Sequence, residues 1–161
     1  MSVKINYSKK TNAKPSGNNV FYVSDKFNIS QLTKYISKSE INYIGNLLRN
    51  EDLKKNILVY EINSKRKIIL ISIKNNLKTS DIEALGAEFY GRINYGKNDE
   101  YFINSDTVVG KYDNFLGYFL HGLKLKSYEF NKYKSKKNTR LISINVFGKS
   151  NKPSNNNQLK F

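Results

Sequence analysis

Groups that ionise, attack or ligate are the natural starting point, and few of them stand in useful patterns in this chain. Carboxylates occur as Glu51-Asp52, as Asp81 with Glu83, and as Asp99-Glu100. The first pair falls at a helix end and the third in a turn. The second lies in the first turn of a helix, where negative charge offsets the helix dipole. The single histidine, His121, lies beside Leu120 and Leu123 with no carboxylate within four positions to orient it. It reads as a partly buried structural histidine rather than a general base. With no cysteine there is no disulfide, thiolate nucleophile or cysteine metal site, and one histidine excludes a multi-histidine site. No His-Glu-x-x-His helix, calcium loop, Walker loop or Gly-x-Ser-x-Gly elbow is present. Gly86 and Gly91 lie five apart in a helical pattern, without the third glycine or preceding strand of a dinucleotide fingerprint. These residues assign no catalytic residue, no metal ligand and no cofactor to the chain.

Charge is the other chemical resource. The chain carries 28 Lys and Arg against 13 Asp and Glu, a formal +15, which favours encounter with polyanions. Of the cations 24 are lysine and 4 arginine, beside 23 asparagines and 16 isoleucines. That mixture follows from an A/T-rich coding sequence, whereas surfaces built for nucleic acid favour the planar fork of arginine. The distribution says more than the total. Lys124, Lys126, Lys132, Lys134, Lys136, Lys137 and Arg140 face only Glu129 within one window, interleaved with Tyr128, Phe130 and Tyr133. Aromatics among lysines can stack on bases while ammonium groups hold phosphates, so Lys132, Lys134, Lys136, Lys137 and Arg140 are candidate nucleic-acid contacts. The same rings could instead anchor the core beneath a solvated lysine loop.

The elements that must position these groups are legible from periodicity. Val3–Tyr7 alternates as a half-buried strand, and Val20–Val23 is a short apolar one. Ser37–Asn50 reads as a helix opened by a Ser37/Glu40 capping box, with Ile41, Ile44, Leu47 and Leu48 on one face. Ile57–Ile62 and Lys67–Ile73 form a hairpin around a four-residue loop, the second strand buried on both faces. A helix from Ser80 to about Tyr95 repeats the capping pattern with Glu83 and buries Ile82, Leu85, Phe89 and Ile93. A short strand at Tyr101–Ile103 follows the Gly96–Asp99 turn. A third helix runs from near Asp113 to about Leu125, and Leu141–Phe147 is the last strand. With 161 residues, 39% of them hydrophobic, and 21 Tyr and Phe, there is material for one core. An α/β fold results, a mixed sheet flanked by about three helices. Residues 1–147 form the domain, and 148–161 read as a linker. No apolar run approaches the ~20 residues of a membrane span and no secretory leader opens the chain, so a cytoplasmic location and no membrane partner are expected.

One segment carries a resemblance. Gly122, Leu125, Ser127, Tyr128, Phe130, Tyr133 and Lys134, followed by Lys136 and Lys137, match in order a pattern at the end of the N-terminal domain of leucyl (cytosol) aminopeptidases. Those are two-metal exopeptidases. The order of elements also resembles that domain, and Gly86 is placed like the family's helix glycine. The resemblance implies a macro-domain-like fold preceding a larger catalytic domain that binds two divalent metals, zinc or manganese. It also implies a homo-hexamer, and in some bacterial relatives a role in DNA binding. The catalytic signature Asn-Thr-Asp-x-Glu-Gly-Arg is absent, since Asn138-Thr139-Arg140 diverges at its third position. No metal ligand carries over.

The motif itself has a physical reading. Gly122 allows close helix packing, and Tyr128, Phe130 and Tyr133 pin the chain in a turn as it leaves the third helix. The expected role is a non-catalytic accessory domain serving hexamer assembly and active-site access, partnered by the catalytic domain of the same protein. The alternative is a free-standing macro-like module that binds nucleic acid or an ADP-ribose-type ligand through the Lys124–Arg140 face. Against a ligand stand the missing glycine-rich phosphate loop and the lack of an acidic residue after a strand to hold an adenine. An independent small enzyme is the third and weakest reading.

Overall fold

A computed structural model describes residues 2–8, 17–93, 99–108, 114–132 and 141–148. Six strands form one sheet: β1 (Ser2–Ser8), β2 (Asn18–Ser24), β3 (Ile57–Asn63), β4 (Arg66–Ile73), β5 (Asp99–Asn104) and β6 (Leu141–Phe147). Three helices accompany them: α1 (Lys38–Leu48), α2 (Thr79–Ile93) and α3 (Phe115–Lys132). The spatial order is β1-β6-β5-β2-β4-β3, parallel throughout except for the antiparallel edge pair β3/β4. The fold is thus a mixed α/β sandwich, as the patterning implies.

Alternation along the strands divides the interior into two cores. Val20, Tyr22, Ile69, Ile71, Tyr101 and Ile144 point to the side covered by α2 and α3. Phe21, Val23, Leu58, Ile68 and Leu70 point to the opposite side, closed by Leu32 of the 3-10 turn Ser30–Lys34, Ile44 of α1, and Phe27 and Ile36 in the segments that flank that turn. β4 has a core on both faces, which explains its nearly unbroken apolar run. On β1 and β6 the face away from α2 and α3 carries Lys4, Asn6, Ser143 and Asn145, and Asn6 Nδ2 donates to Asn145 Oδ1 across the pair at 3.2 Å.

Local chemistry explains most boundaries. α1 opens on the expected reciprocal box: Ser37 Oγ accepts from the Glu40 amide at 3.2 Å, and Glu40 Oε1 accepts from the Ser37 amide at 3.1 Å. Leu47, expected on the buried face of α1, is 37% exposed, while Ile44 is fully buried. α2 opens at Thr79, one residue earlier than expected. Lys78 caps it, with its amide donating to Asp81 Oδ2 at 2.9 Å, so Ser80 and Glu83 form no box and Glu83 is released for another partner. The β3/β4 hairpin closes more tightly than expected, on Ser64 and Lys65 alone, with Asn63 and Arg66 already paired across it.

The largest departure is in α3, which continues through Lys132 instead of stopping near Leu125. No glycine or proline interrupts Leu123–Lys132, so the lysine-rich stretch propagates the helix that the core residues nucleate.

Candidate functional site

Two places bring together residues of chemical interest, and the first is the crossing of α2 and α3. Both helices carry a glycine at the contact. A Cβ on Gly86 would meet the Phe119 carbonyl oxygen, and one on Gly122 would meet the Glu83 carbonyl oxygen, each far inside van der Waals separation. The two backbones therefore touch directly. That close crossing brings His121 Nδ1 to 2.5 Å from Glu83 Oε2. The sole histidine is thus oriented by a carboxylate 38 positions away in sequence (121 − 83), a partner that no reading of its sequence neighbours could find.

The described motif residues, Gly122, Leu125, Ser127, Tyr128 and Phe130, lie on α3, so the chain runs as helix where a turn around Tyr128 is expected. Ser127 is buried, and its hydroxyl donates to the Lys124 carbonyl at 2.7 Å, within the helix. Leu125 is 49% exposed and Tyr128 61% exposed, so Tyr128 is no anchor of the core. A continuous helix sends residues 125 and 128 to the side away from Leu120 and Leu123, whereas the expected turn would have folded the ring back. Phe130 and Lys132 stand in the last turns of α3. Tyr133, Lys134, Lys136, Lys137 and Arg140 lie outside the described residues, as does the expected Gly96–Asn98 turn.

The second place is the carboxyl rim of the parallel strands. The chain leaves β2 toward the α1 side, but leaves its neighbours β4 and β5 toward the α2/α3 side. In open α/β sheets such a reversal opens a crevice at the strand ends. Hydroxyls lace this rim together. Thr107 Oγ1 accepts from the Tyr22 amide at 2.9 Å and donates to the Asn104 carbonyl at 2.7 Å. Ser105 Oγ donates to the Phe147 carbonyl at 2.9 Å. Gly148, at φ +137°, lets the exit of β6 run against Ser105 and Asp106, where a side chain would collide.

An acidic residue does stand at this rim. Asp25 directly follows β2 and is exposed, which corrects the expectation that no carboxylate follows a strand. In sequence the carboxylate stands two residues beyond the expected strand Val20–Val23, whereas β2 runs on through Ser24 and so carries the strand end up to Asp25.

Away from these two places, Arg66 and Glu40 form a largely buried pair that serves the fold. Arg66, 5% exposed, donates from Nε to Glu40 Oε2 at 2.6 Å and from a terminal nitrogen to the Gly17 carbonyl at 3.3 Å. It fastens the start of β4 to the first turn of α1. Burial by itself would raise the Glu40 carboxyl, but the hydrogen bonds and charge of Arg66, with the Ser37 amide and hydroxyl, outweigh it and hold the group below its ordinary 4.5. Among the described residues no group of three or more histidines and carboxylates is placed to hold a metal ion. No described helix is long and apolar enough to cross a membrane.

Comparison with known proteins places the fold. No family model and no curated protein sequence matches the chain. Solved structures do. A mutant of tomato leucine aminopeptidase superposes with a TM-score of 0.64 at 14% identity, over 98% of this chain and 35% of that one. The macrodomain of Thermus aquaticus DarG superposes with a TM-score of 0.56 at 11% identity, over 91% of this chain and 99% of that one. The fold is macro-domain-like, and the chain spans about a third of the aminopeptidase it resembles.

Proposed function

We propose that this chain is the non-catalytic N-terminal domain of a leucyl aminopeptidase, a scaffold that serves assembly and access to an active site built elsewhere. The observation that carries the reading is the α2/α3 crossing. Gly86 and Gly122, the two glycines of the family resemblance, are the two whose Cβ atoms would strike the opposite helix backbone. The superposition of 98% of the chain on 35% of a leucine aminopeptidase supports the same reading. In it, two zinc or manganese ions belong to the catalytic domain, and the partners are that domain and further copies in a hexamer. The location is the cytoplasm.

Extending the coding sequence past Phe161 tests this directly. A downstream domain carrying Asn-Thr-Asp-x-Glu-Gly-Arg is expected, and a stop codon directly after Phe161 would count decisively against it. The isolated chain, supplied with manganese or zinc, is expected to leave a leucyl amide unhydrolysed.

A second reading rests on Asp25. A carboxylate directly after β2, in a fold that spans 99% of a macrodomain, supports a reading in which it accepts from the amino group of an adenine. Under this reading calorimetry detects ADP-ribose binding that Asp25→Ala abolishes. If the basic stretch instead meets DNA, affinity falls at least about tenfold between low and moderate salt. Replacing Lys132, Lys134, Lys136 and Lys137 by alanine then removes most of it.

A further inference from the structure

The turn that follows β2 is held in an unusual way. It spans residues 24–27 and is closed by the Phe27 amide, which donates to the Ser24 carbonyl at 2.9 Å. Phe27 is only 3% exposed and packs in the α1-side core, yet its φ is +54°. Bulky side chains adopt that left-handed conformation only where the surrounding packing over-determines it, and such residues cluster at ligand clamps and active sites. The buried ring fixes the turn from below and leaves Asp25 and Lys26 exposed at its centre. Among the described residues neither the Asp25 carboxylate nor the Lys26 ammonium is engaged in an ion pair or a side-chain hydrogen bond. Lys26 also stands out by position. Of the described segments that leave β2, β5 and β6 at this rim, 24–27, 104–108 and 148, only the first carries a cation.

We propose that Lys26 is the phosphate contact of the site in which Asp25 holds an adenine, a single cation in place of the glycine-rich loop that the sequence lacks. The ligand class is then a phosphorylated adenine nucleotide rather than a free nucleoside. This inference rests on the second reading above. A glycine-rich loop grips phosphate with converging backbone N–H groups, and needs a backbone clear of side chains to do so. An ammonium on a flexible stem acts instead as a point charge and needs no such loop. The neighbouring carboxylate sharpens the assignment. Asp25 attracts the amino group of the base and repels phosphate, so the two side chains of one turn favour opposite ends of the same ligand and fix its direction. Because the turn is clamped by Phe27, little ordering is left to be done when the ligand arrives.

Calorimetry of the 161-residue chain with adenosine, AMP and ADP-ribose provides the test. The two phosphorylated ligands should bind at least about tenfold more tightly than adenosine. That preference should shrink as salt is added, since an exposed ionic contact is screened. Lys26→Met should weaken AMP and ADP-ribose at least about tenfold and leave adenosine unchanged, while Lys26→Arg should keep the preference. Asp25→Ala, by contrast, should weaken all three ligands. Circular dichroism of the variants should match the wild type, because both positions are exposed. Binding of AMP and ADP-ribose that Lys26→Met leaves unaltered overturns the inference while the Asp25 reading stands. Adenosine binding that Asp25→Ala leaves unaltered overturns that reading instead. Failure of the wild type to bind any of the three ligands overturns both.

Discussion

Three glycines in two neighbouring helices play different physical roles, and a single added methyl group separates them. Gly86→Ala or Gly122→Ala drives a Cβ into a carbonyl oxygen of the facing backbone, which no rotamer change can relieve. Either should destabilise the protein by about 3 kcal/mol, even after the ~1 kcal/mol that alanine gains in helix propensity. Gly91→Ala meets nothing within 4 Å and should stabilise by up to about 1 kcal/mol. Urea denaturation of the three variants distinguishes a packing role from a merely tolerated glycine. Tyr22 offers a second contrast. Its ring makes edge-to-face contacts with Phe115 and Phe119, while its hydroxyl is buried without a hydrogen-bond partner among the described residues. Burial accordingly pushes that hydroxyl well above the ordinary tyrosine value. Tyr22→Phe keeps the ring and removes the stranded group, so it should be neutral or stabilising by about 1 kcal/mol. A loss of stability in that variant would show that the hydroxyl has a partner.

Between elements, the Arg66–Glu40 pair ties β4 to α1. Arg66→Met should cost about 2–4 kcal/mol at neutral pH, because Glu40 is left partly buried without its cation. The pH dependence has a definite sign. The folded-state pKa of Glu40 lies below its ordinary 4.5, so the pair's contribution is complete above that value and is lost as pH falls below it. Stability of the wild type should therefore drop more steeply than that of Arg66→Met below about pH 4.5. Chemical denaturation at a series of acidic pH values measures the difference. At this scale sequence periodicity was reliable wherever packing enforced it. β6 runs from Leu141 to Phe147, as its alternation indicates, and Ser37/Glu40 form their box. It failed at the ends of α2 and α3. Two capping patterns compete at the start of α2, and a polar helix extension carries no apolar period to mark where it stops.

At the scale of the molecule, two cores share one sheet, with β2 and β4 contributing side chains to both. Neither core can be lost while the other keeps its strands. Unfolding should consequently be a single transition, coincident by tyrosine fluorescence and far-ultraviolet circular dichroism. Phe119→Ala on one face should lower its midpoint with a cost of about 3–5 kcal/mol, and Leu32→Ala on the other should lower the same midpoint at about 2–5 kcal/mol. Separate transitions in either variant would show that the faces are independent units. The parallel arrangement also gathers the ends of β2, β5 and β6 at one rim, along which Asp25 and the Thr107 and Ser105 hydroxyls are distributed.

What the sequence by itself determined is whatever repeats locally: the strands, the three described helices, the mixed α/β class and the closeness allowed at Gly122. These follow from periodicity and composition, which act between near neighbours along the chain. Only the tertiary structure decided that Glu83 would meet His121, that Asp25 would reach the strand rim, that Gly86 and Gly122 would face each other, and that Leu125 and Tyr128 would stand in solvent. Each of these depends on where a helix or strand ends and on which neighbour it packs against. Those outcomes are set by contacts between residues far apart in sequence, to which local patterning is blind.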